Sequence, residues 1–189
     1  MTDPVTVLDF WLGEIGPAGW YAGTAQIDQA CADGFGDLVA AARDGGLEHW
    51  VDGPAGALAY LILTDQFPRN IHRGTPLAFA SDPRARDAAR KALAAGWDMD
   101  APQPERQFFY MPFEHSEDIA DQDLAVDLMD QRMPDHPDLA LHARAHREQI
   151  RLFGRFPGRN AALGRENTAE EADFLDQGGY AALVRRLKG

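Results

Sequence analysis

The sequence predicts an all-α protein, with antiparallel helices packed as a compact bundle or as stacked helical hairpins. Three observations carry this. Apolar residues recur at three- and four-residue spacing through most of the chain. Proline and glycine fall mainly between those stretches, as punctuation. No segment alternates apolar and polar residues with β-branched enrichment for long enough to make a convincing strand. At 189 residues and 45% apolar, the chain fits one domain over residues 1–189 and has enough apolar side chains to bury a core.

The elements follow in order. Asp3 is an N-cap and Pro4 suits the first helical position, after which Leu8, Trp11, Leu12 and Ile15 share a face and Gly13 to Gly16 end the helix. A second helix spans about Thr24 to Asp44, with Ile27, Cys31, Phe35, Leu38 and Val39 inward and Gly45-Gly46 as its stop, though Gly34 and Gly36 weaken its middle. A third runs from about Pro54 to Gln66. Asp82-Pro83 opens a fourth, with Ala88, Ala92 and Leu93 in one stripe and Gly96 closing it. Pro104 begins a short aromatic helix through Phe108-Phe109-Tyr110 that Pro112 interrupts. The next helix, about Ser116 to Arg132, places Ile119, Leu124, Leu128 and Met129 inward, and the one from about Pro137 to Phe153 uses Leu139, Leu141, Ile150 and Leu152. Thr168-Ala169-Glu170-Glu171 has capping-box spacing, and a last helix covers about Tyr180 to Leu187.

Composition excludes some roles. The longest apolar run, Ala55 to Thr64, is far short of the roughly 20 residues a membrane span needs. Met1-Thr2-Asp3-Pro4 lacks the basic start and long apolar stretch of a secretory signal, so the expected compartment is the cytoplasm. The single cysteine, Cys31, forms no internal disulfide and reads as a small buried hydrophobe. With 18 basic and 30 acidic residues the net charge is -12, which repels polyanions and argues against nucleic acid and anionic membrane as partners. The layout is uneven: Glu114 to Asp138 holds nine carboxylates and one arginine, Arg144 to Arg165 six arginines and one carboxylate. Two neighbouring helices pairing their charges at the surface account for this. A positive pocket suited to a small anion is the sharper reading.

One local design occurs twice. Asp65-Gln66-Phe67-Pro68-Arg69-Asn70 leads to Gly74, and Arg155-Phe156-Pro157-Gly158-Arg159-Asn160 leads to Gly164, each glycine four residues after its asparagine. Proline should push the residue before it out of the α region and end the helix. Phenylalanine anchors that end, and asparagine suits a cap or a left-handed residue. The arginines are not required by this scheme. They either staple helix termini through carbonyls and carboxylates, or grip a ligand carboxylate or phosphate.

Between the turns lies Tyr110-Met111-Pro112-Phe113-Glu114-His115-Ser116-Glu117-Asp118. Ser116, Glu117 and Asp118 make a good helix opening, which leaves Glu114 and His115 unexplained. A metal site would draw on Glu114, His115 and Glu117 with His142 and His146, four apart on one helical face, but the pattern matches neither a zincin nor a di-iron motif, so neither metal nor cofactor is expected. General acid–base work by His115, His146 or Glu114 stays open.

The motifs Asp65 to Asn70, Tyr110 to Asp118 and His146 to Phe174, with the Val7-Leu8-Asp9-Phe10-Trp11 opening, resemble those of the bacterial family called domain of unknown function 924. The resemblance spans nearly the whole chain and implies an all-α fold similar to tetratricopeptide-like arrays, with no established activity. Gly158 departs from it, standing where the family's turn more often carries histidine.

Two functions compete. In one, a small-molecule protein, enzyme or binder, takes an anionic ligand in a polar cleft drawn from Asp65, Arg69, Asn70, Glu114, His115, Glu117, His146, Arg155, Arg159 and Asn160. In the other, a helical-repeat module holds a protein or peptide and the turns only shape it.

Overall fold

The computed structural model describes residues 3–189, which are helical and turn structure with no strand among them. The chain is all-α, as the periodicity predicts. It divides into two compact units, Met1–Pro112 and Phe113–Gly189.

In the first unit, Asp3 Oδ1 accepts the Val5 N–H at 3.0 Å and Pro4 takes the first helical position. The helix Pro4–Leu8 then widens into a π-helical stretch, Asp9–Ile15. Thr24 caps the helix Ala25–Arg43, whose Cys31, Phe35, Val39 and Ala42 are buried. Burial, and then the Asp28 charge, push the Cys31 thiol up to about 12, so it is inert packing. Pro54–Leu61 runs into a second π-helical stretch, Ile62–Gln66, and on into Phe67–Ile71. An aromatic cluster forms the core. Phe35 and Trp11 lie 5.0 and 5.3 Å from Phe67 between ring centroids, and Trp20 packs on Phe108 at 4.8 Å while donating its indole N–H to the Trp11 carbonyl at 2.7 Å. The helix Asp82–Ala95 ends at Gly96, whose φ of 75° supplies the left-handed cap.

In the second unit, Asp118, not Ser116, caps the helix Ile119–Arg132, its carboxylate accepting the Ala120 N–H at 2.8 Å. Helix Pro137–Phe153 packs against it. Arg147 meets Asp123 at 3.3 Å and Arg144 meets Asp130 at 2.6 Å, an order that makes the two helices antiparallel. The uneven charge is thus paired in part at the surface, where such bridges contribute about 0–1 kcal/mol each. Small residues, Ala125, Ala140, Ala143 and Ala145, are buried on these two helices, and Ile119, Leu124 and Leu152, expected inside, are exposed. Leucine periodicity misplaced them because alanines, with Gln122 and Gln149, take the buried positions, and an apolar pattern weighted to large side chains overlooks both. The Thr168 capping box forms as expected, opening Ala169–Asp176, and Gly179–Lys188 packs against Pro137–Phe153.

The two Phe-Pro-Arg-Asn copies differ in backbone. Phe156 is extended (φ -88°, ψ 107°), as proline requires of its predecessor, and the preceding helix ends at Gly154 with φ 68°. Phe67, by contrast, remains helical (φ -59°, ψ -38°), so the helix passes through Pro68 instead of stopping there. The π-helical turn just before it makes that passage tolerable. The left-handed residue of each copy is the glycine, not the asparagine: Gly74 has φ 78° and Gly164 φ 65°, and no described non-glycine residue has positive φ.

Candidate functional site

Arg69 is a staple of the first unit. Proline 68 has no N–H to give the Thr64 carbonyl, which accepts the Ser81 hydroxyl at 2.7 Å. Arg69 then ties the same region together. Its guanidinium donates to the Asp65 carbonyl at 2.6 Å and, as a fork, to both Asp82 oxygens at 2.9 and 3.0 Å, with an Asp65 carboxylate oxygen at 3.3 Å. Burial opposes its charge, but the Asp65 and Asp82 carboxylates outweigh burial and hold the guanidinium above its ordinary pKa. Asp65 also accepts the Gln66 amide at 2.6 Å, and Asn70 lies half-buried within the helix Phe67–Ile71.

The second unit contains the other candidates, and its geometry sorts them. Arg155 forks onto Glu171 at 2.6 and 2.7 Å and donates to the Glu166 carbonyl at 2.9 Å. Buried Asn160 donates to Asn167 and to Glu171 at 2.7 and 3.1 Å, and the Thr168 N–H adds a bond at 2.8 Å. The Arg155 fork holds the Glu171 carboxyl down to about 2 against its burial. Glu117 is gripped by the Arg165 fork at 2.8 and 2.9 Å and accepts the Phe156 N–H at 2.8 Å, so that despite burial its carboxyl stays below the usual range. These three expected ligand residues, Glu117, Arg155 and Asn160, shape the turn.

Glu114, His115, His146 and Arg159 form a different group. Fully buried Gln122 positions the first two by clamping their backbone. Its amide nitrogen lies 2.6 Å from the Glu114 carbonyl, 2.6 Å from that of Ser116 and 3.3 Å from that of Phe113. Glu114 presents a carboxylate oxygen 3.5 Å from His146 Nδ1, and its side chain is only 5% exposed against 21% for His146. Around His146 stand the rings of His115 at 5.9 Å, Phe156 at 5.7 Å and Tyr180 at 4.9 Å. Arg159, half-buried, lies over Phe156 with its guanidinium carbon 4.4 Å from the ring centroid.

The protonation of His146 follows from these surroundings. Burial, then the charges of His115 and Arg159, bring its pKa down to about 3, so the ring is neutral at physiological pH. Nδ1 lies 2.9 Å from the His142 carbonyl, which only accepts, so Nδ1 carries the proton and Nε2 the lone pair. One turn away, His142 Nδ1 meets the Tyr180 hydroxyl at 2.6 Å. Sequence reasoning singled out Glu114, His115 and His146, which the fold brings together, and did not single out Tyr180 and Gln122 beside them. Tyr180 lies in the first turn of the last helix and carried no motif, and Gln122 stands in an acidic stretch where its burial has no sequence signal. Among the described residues, no group of three or more His, Cys, Asp or Glu side chains is placed to hold a metal ion, and no helix is long and apolar enough to cross a membrane.

Fold and geometry define an all-α protein whose second unit gathers a neutral histidine, a buried carboxylate and a stacked arginine. The chain belongs to the DUF924 family of bacterial proteins of unknown function, whose model matches residues 7–179. It is similar to a protein of unknown function from Agrobacterium tumefaciens with a solved structure, at 41% identity over 92% of this chain and 97% of that one, with a TM-score of 0.86. No curated protein matches it.

Proposed function

We propose that the protein binds a small anionic molecule at the Arg159–His146 group of its second unit, with Glu114 and His115 beside it. The observation that supports this best is the pairing of a stacked cation with His146, which is partly exposed and neutral and has a lone pair on Nε2 to accept a hydrogen bond. A histidine filling a core has no need of a fixed tautomer next to a carboxylate. Arg159 supplies the positive charge an anion requires, and its stacking on Phe156 holds the guanidinium plane in place, so less side-chain freedom is lost on binding.

Thermal-shift measurement with phosphate and with citrate, against sodium chloride at equal ionic strength, tests the reading. At least one of the two anions should raise the melting temperature of the wild type, and Arg159→Ala should abolish the rise. If neither anion stabilises the wild type, or Arg159→Ala responds as the wild type does, the anion site is refuted.

A further inference from the structure

The side chain of Gln122 is engaged at one end alone. Its amide nitrogen meets the Glu114 and Ser116 carbonyls at 2.6 Å each and the Phe113 carbonyl at 3.3 Å, and three carbonyls can face only the nitrogen of an amide. Among the described residues Oε1 is buried with no hydrogen-bond partner. A buried acceptor left unmet costs about 1–3 kcal/mol, so the position suits a glutamine only because its donors are needed. The short helical turn that ends at Glu114 leaves carbonyls without an N–H further along a helix to meet them. The Phe113 carbonyl takes the Ser116 N–H at 3.1 Å, and those of Glu114 and Ser116, the two nearest to the amide, take its two hydrogens. His115 lies between the two residues so held. Gln122 itself stands in the helix Ile119–Arg132, which packs against the helix Pro137–Phe153 that carries His146. One side chain therefore ties the segment bearing Glu114, 3.5 Å from His146 Nδ1, and His115, 5.9 Å from the His146 ring, to the helix pair bearing His146.

We propose that Gln122 is a positioning residue of the anion site: it touches no ligand, but by holding the Glu114–Ser116 backbone to its own helix it keeps Glu114 and His115 beside His146 before an anion arrives. This rests on the anion site proposed above and adds a residue that acts through others. A site ordered in advance loses less freedom on binding, so the clamp shows in affinity as well as in stability.

Histidine-ring NMR spectra of the full chain at neutral pH, with calorimetric titrations of phosphate and citrate, test this in variants that remove the donors in steps. Gln122 gives two N–H groups. Gln122→Glu, kept protonated by burial among carbonyl oxygens, gives one O–H, and Gln122→Met, of similar size, gives none. Leu128→Ala serves as the control, since it destabilises the same helix from a buried position six residues further along. The His115 and His146 signals should move from those of the wild type by more in Gln122→Met than in Gln122→Glu. Anion affinity should fall about threefold in Gln122→Glu and about tenfold in Gln122→Met, and stay within about twofold in Leu128→Ala. Signals in Gln122→Met that overlay those of the wild type overturn the proposal, whether or not an anion binds. So does a Leu128→Ala chain that loses affinity as fully as Gln122→Met, because the loss then follows stability alone. Should Gln122→Met not fold, the signals and affinity of Gln122→Glu decide in the same way. If the signals move in the donor order but neither anion binds the wild type, the anion site is refuted, and with it the role of the clamp in affinity, while its hold on His115 and His146 is upheld.

Discussion

Removing Arg69 should cost stability and leave ligand binding in the second unit intact. The guanidinium side chain is 19% exposed, and it faces carboxylates that are 1% and 8% exposed on Asp65 and Asp82. Arg69→Ala takes away three charge-assisted bonds and leaves two acids in a site that excludes water. Breaking a buried pair from one side destabilises by about 3–5 kcal/mol, and the partial exposure of Arg69 argues for the lower end. At roughly 2–4 °C per kcal/mol for a chain of this size, about 3 kcal/mol corresponds to a fall in melting temperature of roughly 6–12 °C. Calorimetry at pH 7 with the Arg69→Ala, Asp82→Asn and double variants measures it, and the cycle should return a coupling of about 1–3 kcal/mol. A variant melting within a degree of the wild type, or a coupling near zero, refutes the staple. The stabilisation by phosphate or citrate expected of the wild type should persist in Arg69→Ala and vanish in Arg159→Ala, which separates the two arginines that the sequence presents as equivalent.

Other perturbations have outcomes set by single contacts. A Cβ at Gly56 would stand 2.2 Å from the Trp50 carbonyl oxygen, so Gly56→Ala should destabilise by about 1–3 kcal/mol in urea titrations despite alanine's better helix propensity. Glu171, held down to about 2 from 4.5 by Arg155, contributes stability that is present above pH 4.5 and lost as pH falls towards 2, and Glu171→Gln should flatten the urea midpoint against pH in that window. His146, held neutral from 6.5 down to about 3, makes the unfolded chain the better proton binder in between, so stability should fall as pH drops from 6.5 towards 3. Circular-dichroism melts of His146→Asn should show less of that fall, and equal slopes would contradict the buried neutral ring.

Much of the helical framework is legible in the sequence because caps and stops are local. Asp3, Thr24, Thr168 and Gly96 end or begin helices where their chemistry dictates. The first Phe-Pro-Arg-Asn turn is not, because whether a proline ends a helix depends on what replaces its missing hydrogen bond. Ser81, thirteen residues after Pro68, makes the difference there. The site was half legible. Glu114, His115 and His146 stand out as polar groups beside aromatic anchors, but the distinction between Arg155, locked to Glu171, and Arg159, stacked on Phe156, is tertiary. No spacing rule separates two arginines four residues apart when their partners come from different stretches of chain.

The π-helical stretch Ile62–Gln66 fits one residue more into its turn than an α-helix holds. Each residue of an α-helix turns the chain by about 100°, and a π stretch turns it by less per residue because the extra residue is spread through the coil. Excising one residue from this stretch would let it close into an α-helix with Phe67 and Arg69 keeping nearly their present directions. A single-codon deletion here should therefore be tolerated better than one in the α-helical turns on either side.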